Sequence, residues 1–253
     1  MRLRQFVFVA GELAPAVDDI TAVLGLSVCF KDPNVGHFGL ENALLPIGGN
    51  LLEVVAPVQD GTTAGRYLER RGGDGGYMVI LQCGDAMAER RRIAELGVRD
   101  VWRHDDDDAT ATHFHPADVP GAILSIDDMG PDVDWHDDLA RWKWAGPDWQ
   151  AHVRTGVTQA ITGVEIQADN PDAVAERWSA VLDRPLTTAA SGPAIDLDNA
   201  RLRFVADTDG RGLGVSGIDI LPQDRPTILA AAEARGLRQG DDRIMLCGVR
   251  VNL

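Results

Sequence analysis

Cysteine is nearly missing from this chain: Cys29, Cys83 and Cys247 are the only three in 253 residues, far apart and odd in number. They cannot frame a disulfide scaffold and do not have the spacing of a zinc site, so they read as reduced core residues of a cytoplasmic protein. Long hydrophobic runs are missing too, none approaching the roughly 18 residues needed to cross a bilayer. The apolar start Phe6–Ala10 is cut by Glu12 and followed by Asp18 and Asp19, which makes it a buried strand rather than a signal peptide. Basic charge is short, with 24 Lys and Arg against 39 Asp and Glu and a net charge of -15. Such a surface repels phosphate backbones and anionic lipid, so neither nucleic acid nor membrane is expected as a partner. There is no Gly-x-Ser-x-Gly, no Walker loop and no Cys/His nucleophile pair by spacing. The Gly-rich stretch 72–76 precedes a strand rather than a helix and is a connector, not a phosphate cradle.

What is present is an internal repeat. Phe6–Ala10 is a β-rich run; Val17, Ile20, Val23 and Leu24 then recur at helical spacing, Gly25 ends the helix, and Leu26–Phe30 reads as a strand. The pattern returns at Tyr77–Cys83, with a helix opened by Asp85 and ended by Gly97, before Val98–Trp102. It returns again at Val164–Ala168 with a helix from Pro171 to Leu182, and at Val215–Leu221 with a helix from Pro226 to Arg235. Each unit continues into short strands: Leu40–Pro46 and Asn50–Val55, His113–Pro116 and Ala122–Ile126, Ile195–Val205, then Arg243–Cys247 and Val249–Leu253. Leu40-Glu41-Asn42-Ala43 resembles Leu197-Asp198-Asn199-Ala200, which suggests duplication.

A strand-helix-strand unit has one apolar sheet face and cannot bury it alone. The expected fold is α+β, with four βαβββ modules forming two cupped mixed sheets and helices outside. The expected division is residues 1–128, a Trp-rich linker at 129–156, and a shorter second domain at 157–253.

Four stretches of the first half resemble the vicinal oxygen chelate superfamily, and within it methylmalonyl-CoA epimerases. They are Glu53-Val54-Val55-Ala56-Pro57, the helix Ala64–Gly72, Gly76–Leu81, and the closing hairpin His115–Ile126. The resemblance implies a divalent metal in the cup, with ligand positions falling on Gln5, Glu53, Met78 and Ser125. Only Glu53 is a strong ligand; a thioether does not hold a hard ion. The matching second-half positions are Gly163, Arg203, Gly217 and Asn252, which make no site. No cofactor is therefore expected; an atypical ion on Glu53, His113 and His115 is the alternative.

If Glu53 faces the cup, partial burial raises its pKa and suits it to general-base work, with His115 as a proton relay. Gln5, Arg66, Met78, His113, Ser125 and Trp144 are the expected substrate-binding residues. Arg66 suits a carboxylate, and Trp144 either lids the pocket or packs the halves together. His104 leads the acidic run Asp105–Asp108, which has neither the spacing nor the Gly of a calcium loop. The resemblance, with Glu53 as the surviving carboxylate, implies a protein that binds a small organic molecule, as a lyase or isomerase acting on a carbonyl or acyl compound. A drug-sequestering module and a ring-cleaving dioxygenase are the alternatives. Strand edges make a homodimer reasonable.

Overall fold

The computed structural model describes residues 1–189 and 192–253. Strand β1 (Arg2–Val9) has an irregular register between Leu3 and Gln5 and alternates from Phe6 onward: Phe6 and Phe8 pack toward the helices, Val7 and Val9 toward the opposite face. Helix α1 (Leu13–Leu24) buries Leu13, Ala16, Ile20, Val23 and Leu24 along one stripe and stops at Gly25, whose φ of 67° is left-handed. A short 3-10 turn (Pro33–Phe38) leads into β2 (Leu40–Ile47) and β3 (Asn50–Pro57). Helix α2 (Thr63–Arg71) is capped by the Thr62 hydroxyl, which accepts from the Gly65 amide at 2.9 Å. The second unit comprises β4 (Gly75–Gln82), α3 (Ala86–Glu95), β5 (Asp100–Asp105), β6 (Thr110–Phe114) and β7 (Ile123–Asp128).

The second half repeats the plan. Strand β8 (Thr158–Ala168) is followed by α4 (Pro171–Leu182), β9 (Leu186–Ala189), β10 (Gly192–Asp196) and β11 (Arg201–Ala206). Then come β12 (Gly214–Pro222), α5 (Arg225–Ala234), β13 (Arg243–Leu246) and β14 (Val249–Asn252). In each unit the first strand runs parallel to the last: β1 with β3, β4 with β7, β8 with β11, β12 with β14. First strands then pair antiparallel, β1 with β4 and β8 with β12, giving two curled sheets as the repeats imply.

The two sheets are also joined into one of 14 strands, through Val215 of β12 and Gly76 of β4. A side chain at position 76 would bring its Cβ to 2.6 Å from the Val215 Cβ, so glycine sets the seam. Two asparagines cross between the halves in mirrored fashion. The Asn50 carboxamide oxygen accepts from the Ile161 amide at 3.2 Å, and that of Asn199 accepts from the Leu3 amide at 2.8 Å.

Several boundaries differ from the sequence reading. In units one and four the second strand shrinks to a single bridge, Phe30 with Leu44 and Arg238 with Ile244. Leu26–Phe30 is also held by the segment between the halves: Ser27 donates to the His152 carbonyl at 3.0 Å and the Cys29 thiol to that of Ala145 at 3.6 Å. Ile195–Val205 is a hairpin, β10 and β11, rather than one strand, because Asp198 and Asn199 favour a turn. The phrases at 40–43 and 197–200 are therefore not equivalent: Asn42 lies within β2 and Asn199 in that turn. No helix among the described residues is long and apolar enough to cross a membrane.

Candidate functional site

The first half curls in the order β2-β3-β1-β4-β7-β6-β5. Its concave face carries Val7, Val9, Leu44, Leu51, Val55, Met78 and Ile80. The orientation of β5 and β6 follows from Arg90 on α3, outside the sheet. Arg90 holds Asp105 through paired bonds of 2.9 and 2.7 Å and bonds Thr112 at 2.6 Å, so Asp105 and Thr112 face outward. By alternation Trp102, His104 and His113 face in, where the Trp102 and His113 rings lie 4.4 Å apart. Phe38, beside the far edge strand β2, meets Trp102 with ring centroids 6.1 Å apart, so the two edges of the curl approach one another.

Glu53 sits on this face, and its environment is unusual. Both carboxylate oxygens accept hydrogen bonds, from the Gln5 amide nitrogen at 2.7 Å and the Asn42 amide nitrogen at 2.6 Å. No cation pairs with Glu53 among the described residues. Burial pushes its pKa up to about 7; the two amide donors act against that rise and Asp32 adds to it. Yet Glu53 keeps 8% of its surface exposed and Met78 9%, where Val7 and Leu51 have none.

The segment between the halves closes much of the rest. Trp142 and Trp149 enter the concave face and are fully buried, beneath the Arg4 guanidinium at 5.5 and 5.1 Å from their ring centres. Arg4 also donates to the carbonyls of Gly49, Asp138 and Ala140 at 2.7 to 2.8 Å. The Trp142 indole donates to the Gln5 oxygen at 2.7 Å. The Trp144 indole donates to Asp127 at 2.8 Å, and Ser125 donates to the same carboxylate at 2.5 Å. Asp127 is a second buried acid; desolvation lifts it to about 7 against these two bonds.

Gln5, Glu53, Met78, Ser125, His113 and Trp144 thus line or border one concavity. His115 does not join them: it lies in the turn after β6, where its Nδ1 accepts from the Ala117 amide at 3.0 Å. The two-apart spacing of His113 and His115 fails as a shared face because the strand ends at Phe114. Arg66 turns back on its own helix start, donating to the Gly61 carbonyl at 2.6 Å and to Thr63 at 3.1 Å. Asn42, Asp127 and Trp142 are site residues that sequence reasoning did not single out. The register on β7, two residues beyond Ser125, could have found Asp127.

The residues do not suit the family's metal. Glu53 is the one carboxylate among the four positions, the Gln5 oxygen is taken by the Trp142 indole, Ser125 is bonded to Asp127, and Met78 is a thioether. Among the described residues no group of three or more His, Cys, Asp or Glu side chains is gathered to hold an ion. In the second half, Arg203 stands where Glu53 stands in the first. It is paired with Glu165 at 2.9 Å and Asp219 at 2.5 Å, and Arg250 pairs with Glu165 at 2.5 Å.

A βαβββ cup paired edge to edge is the glyoxalase-like fold. The sequence profile of the Glyoxalase-like domain family matches residues 6–182, and the chain belongs to that family. Among solved structures it is similar to 4-hydroxymandelate synthase from Streptomyces coelicolor, in a triple mutant. That likeness has 15% identity and a TM-score of 0.69, covering 94% of this chain and 76% of that one. It is also similar to methylmalonyl-CoA epimerase from Mycobacterium tuberculosis, with 22% identity and a TM-score of 0.45, over 51% of this chain and 88% of that one. No curated protein matches the sequence.

Proposed function

We propose that the first cup binds a small carbonyl or acyl compound and that Glu53 removes a proton from the carbon beside its carbonyl. The observation supporting this is a buried carboxylate on the concave face of the cup, lifted to about 7 and with no cationic partner among the described residues. A base with a pKa near the working pH balances the ionised fraction against proton affinity. Each Glu53 oxygen accepts one bond and keeps a second lone pair for the incoming proton. As the C–H bond breaks, the proton passes to Glu53 and the electron pair moves into an enolate. Return of the proton to the carbon, or loss of a group from the next carbon, gives an isomerase or a lyase.

His113 is the donor suited to the enolate oxygen. It faces the cup, and desolvation alone pushes its pKa down to about 4, so at neutral pH it is an uncharged imidazole with one N–H to offer. The test is proton exchange in D2O followed by NMR, using simple ketones, 2-oxo acids and acyl thioesters as probes. The wild type should wash deuterium into the α position of at least one class, and Glu53→Gln should stop it while keeping the fold. Exchange that persists undiminished in the variant removes Glu53 as the base. A binding role without turnover is the second reading, because Met78 and Ser125 stand at positions where the resemblance expects metal ligands; thermal stabilisation by a probe with no exchange would support it.

A further inference from the structure

We propose that Trp142, carried by the segment between the two halves, is a positioning residue that turns the Gln5 amide so that an N–H faces Glu53. This rests on the reading of Glu53 as the reactive carboxylate.

A glutamine amide is nearly symmetric in shape, and half a turn exchanges its donor for its acceptor. Something must choose between them. An indole nitrogen can only donate, and that of Trp142 lies 2.7 Å from the Gln5 oxygen. The oxygen is thereby held toward Trp142, and the nitrogen is left pointing at Glu53 at 2.7 Å. Trp142 and Gln5 are both buried, so water does not compete for either group. Asn42 is fixed by the same logic on the other side: its oxygen accepts from the Asp32 backbone amide at 2.8 Å, so its nitrogen donates to Glu53 at 2.6 Å. The Asn42 side is set by the backbone. The Gln5 side depends on one ring from a segment 137 residues away in sequence.

Two charged groups bear on this chain of bonds. Asp32 disfavours a second negative charge on Glu53. Arg4 lies over the Trp142 ring, and a cation there strengthens the indole N–H as a donor. Trp149 supplies a matched comparison: equally buried and under the same guanidinium, its indole nitrogen has no partner among the described residues.

Without the Trp142 N–H, the Gln5 oxygen is buried without a donor and nothing selects the amide's orientation, so the turned amide with its carbonyl toward Glu53 becomes populated. Glu53 must then carry a proton to make that bond. In protein labelled with 13C-glutamate, with Glu53 assigned through Glu53→Gln, Trp142→Phe should raise the Glu53 titration midpoint by on the order of one pH unit. Trp149→Phe should leave it in place. Equal movement in both variants, or none in Trp142→Phe, overturns the proposal. Should Trp142→Phe not fold, the wild type answers: the Trp142 indole 15N and 1H signals should follow the Glu53 titration, and a flat response through it overturns the proposal. None of these readings uses turnover, so a failure of proton exchange would sink the base role of Glu53 and leave this result standing.

Discussion

Glu53 and Arg203 hold the same place in the two halves: Val7 faces Glu53 across β1 and β3 as Glu165 faces Arg203 across β8 and β11. One is a carboxylate without a counter-charge among the described residues; the other is a guanidinium neutralised by Glu165 and Asp219. The duplicated frame therefore carries two opposite electrostatic solutions, and they respond to pH with opposite sign.

In the first half the folded-state pKa of Glu53 is raised from 4.5 to about 7. Between those values the folded protein holds a proton that the unfolded chain has released, so stability falls as pH rises through the window. The Glu53 share is on the order of 3 kcal/mol, and Asp127, also lifted to about 7, acts in the same direction. Urea unfolding of Glu53→Gln and wild type should show the variant gaining on the wild type from pH 5 to pH 8. Parallel curves would mean that Glu53 is not desolvated as described.

In the second half burial pushes Glu165 up, but the Arg250 hydrogen bond and the charges of Arg250 and Arg203 outweigh it, and its pKa is lowered. Its stabilisation is present above the ordinary glutamate range and is lost as pH falls through the depressed value. Glu165→Gln leaves Arg250 and part of Arg203 short of a partner and should cost about 3 kcal/mol at pH 7. Urea unfolding at pH 7 checks this; a change within about 0.5 kcal/mol, the usual range for surface substitutions, would show the network to be dispensable.

Much of this architecture was legible in the sequence because it is local. Helical spacing in Val17–Leu24, the stop at Gly25 and the alternation through Phe6–Val9 need no partner to be read. The cup position of Glu53 was legible through its likeness to a known strand. What decides the chemistry was not. Asn42 is an ordinary strand residue until Asp32 and Glu53 are placed on either side of it. Trp142 is one tryptophan of four in a linker until it meets Gln5, far away in the chain. Periodicity carries no information about such long-range bonds, and side chains that fill a cavity look like side chains that pack two domains.

The seam between the halves should be intolerant of volume. Gly76→Ala places a Cβ 2.6 Å from that of Val215, and overpacking of this kind costs about 1–3 kcal/mol. Gly36→Ala is the control, since nothing lies within 4 Å of its added Cβ. Thermal melts should separate the two variants clearly, and equal melting temperatures would show that the seam can part without cost.

The cysteines should be quiet in the native state. Burial pushes the thiols up to about 11 for Cys29 and about 12 for Cys83, and raises Cys247 as well. Iodoacetamide at pH 8 should label none of them quickly, whereas all three should react once the protein is unfolded in guanidinium. Mass spectrometry reads the difference directly, and fast native labelling at Cys83 would contradict its burial.

The segment that joins the halves also stoppers the first of them, so a cut in sequence is not a cut in space. A fragment ending near residue 128 would retain Gln5, Asp127 and the apolar concave wall but lose the rings and carbonyls that occupy them. It would present an open greasy hollow with the Arg4 guanidinium stranded at its rim. Anyone dissecting this chain should carry the tryptophan segment with the first half; without it, the excised piece is expected to self-associate rather than report on the intact molecule.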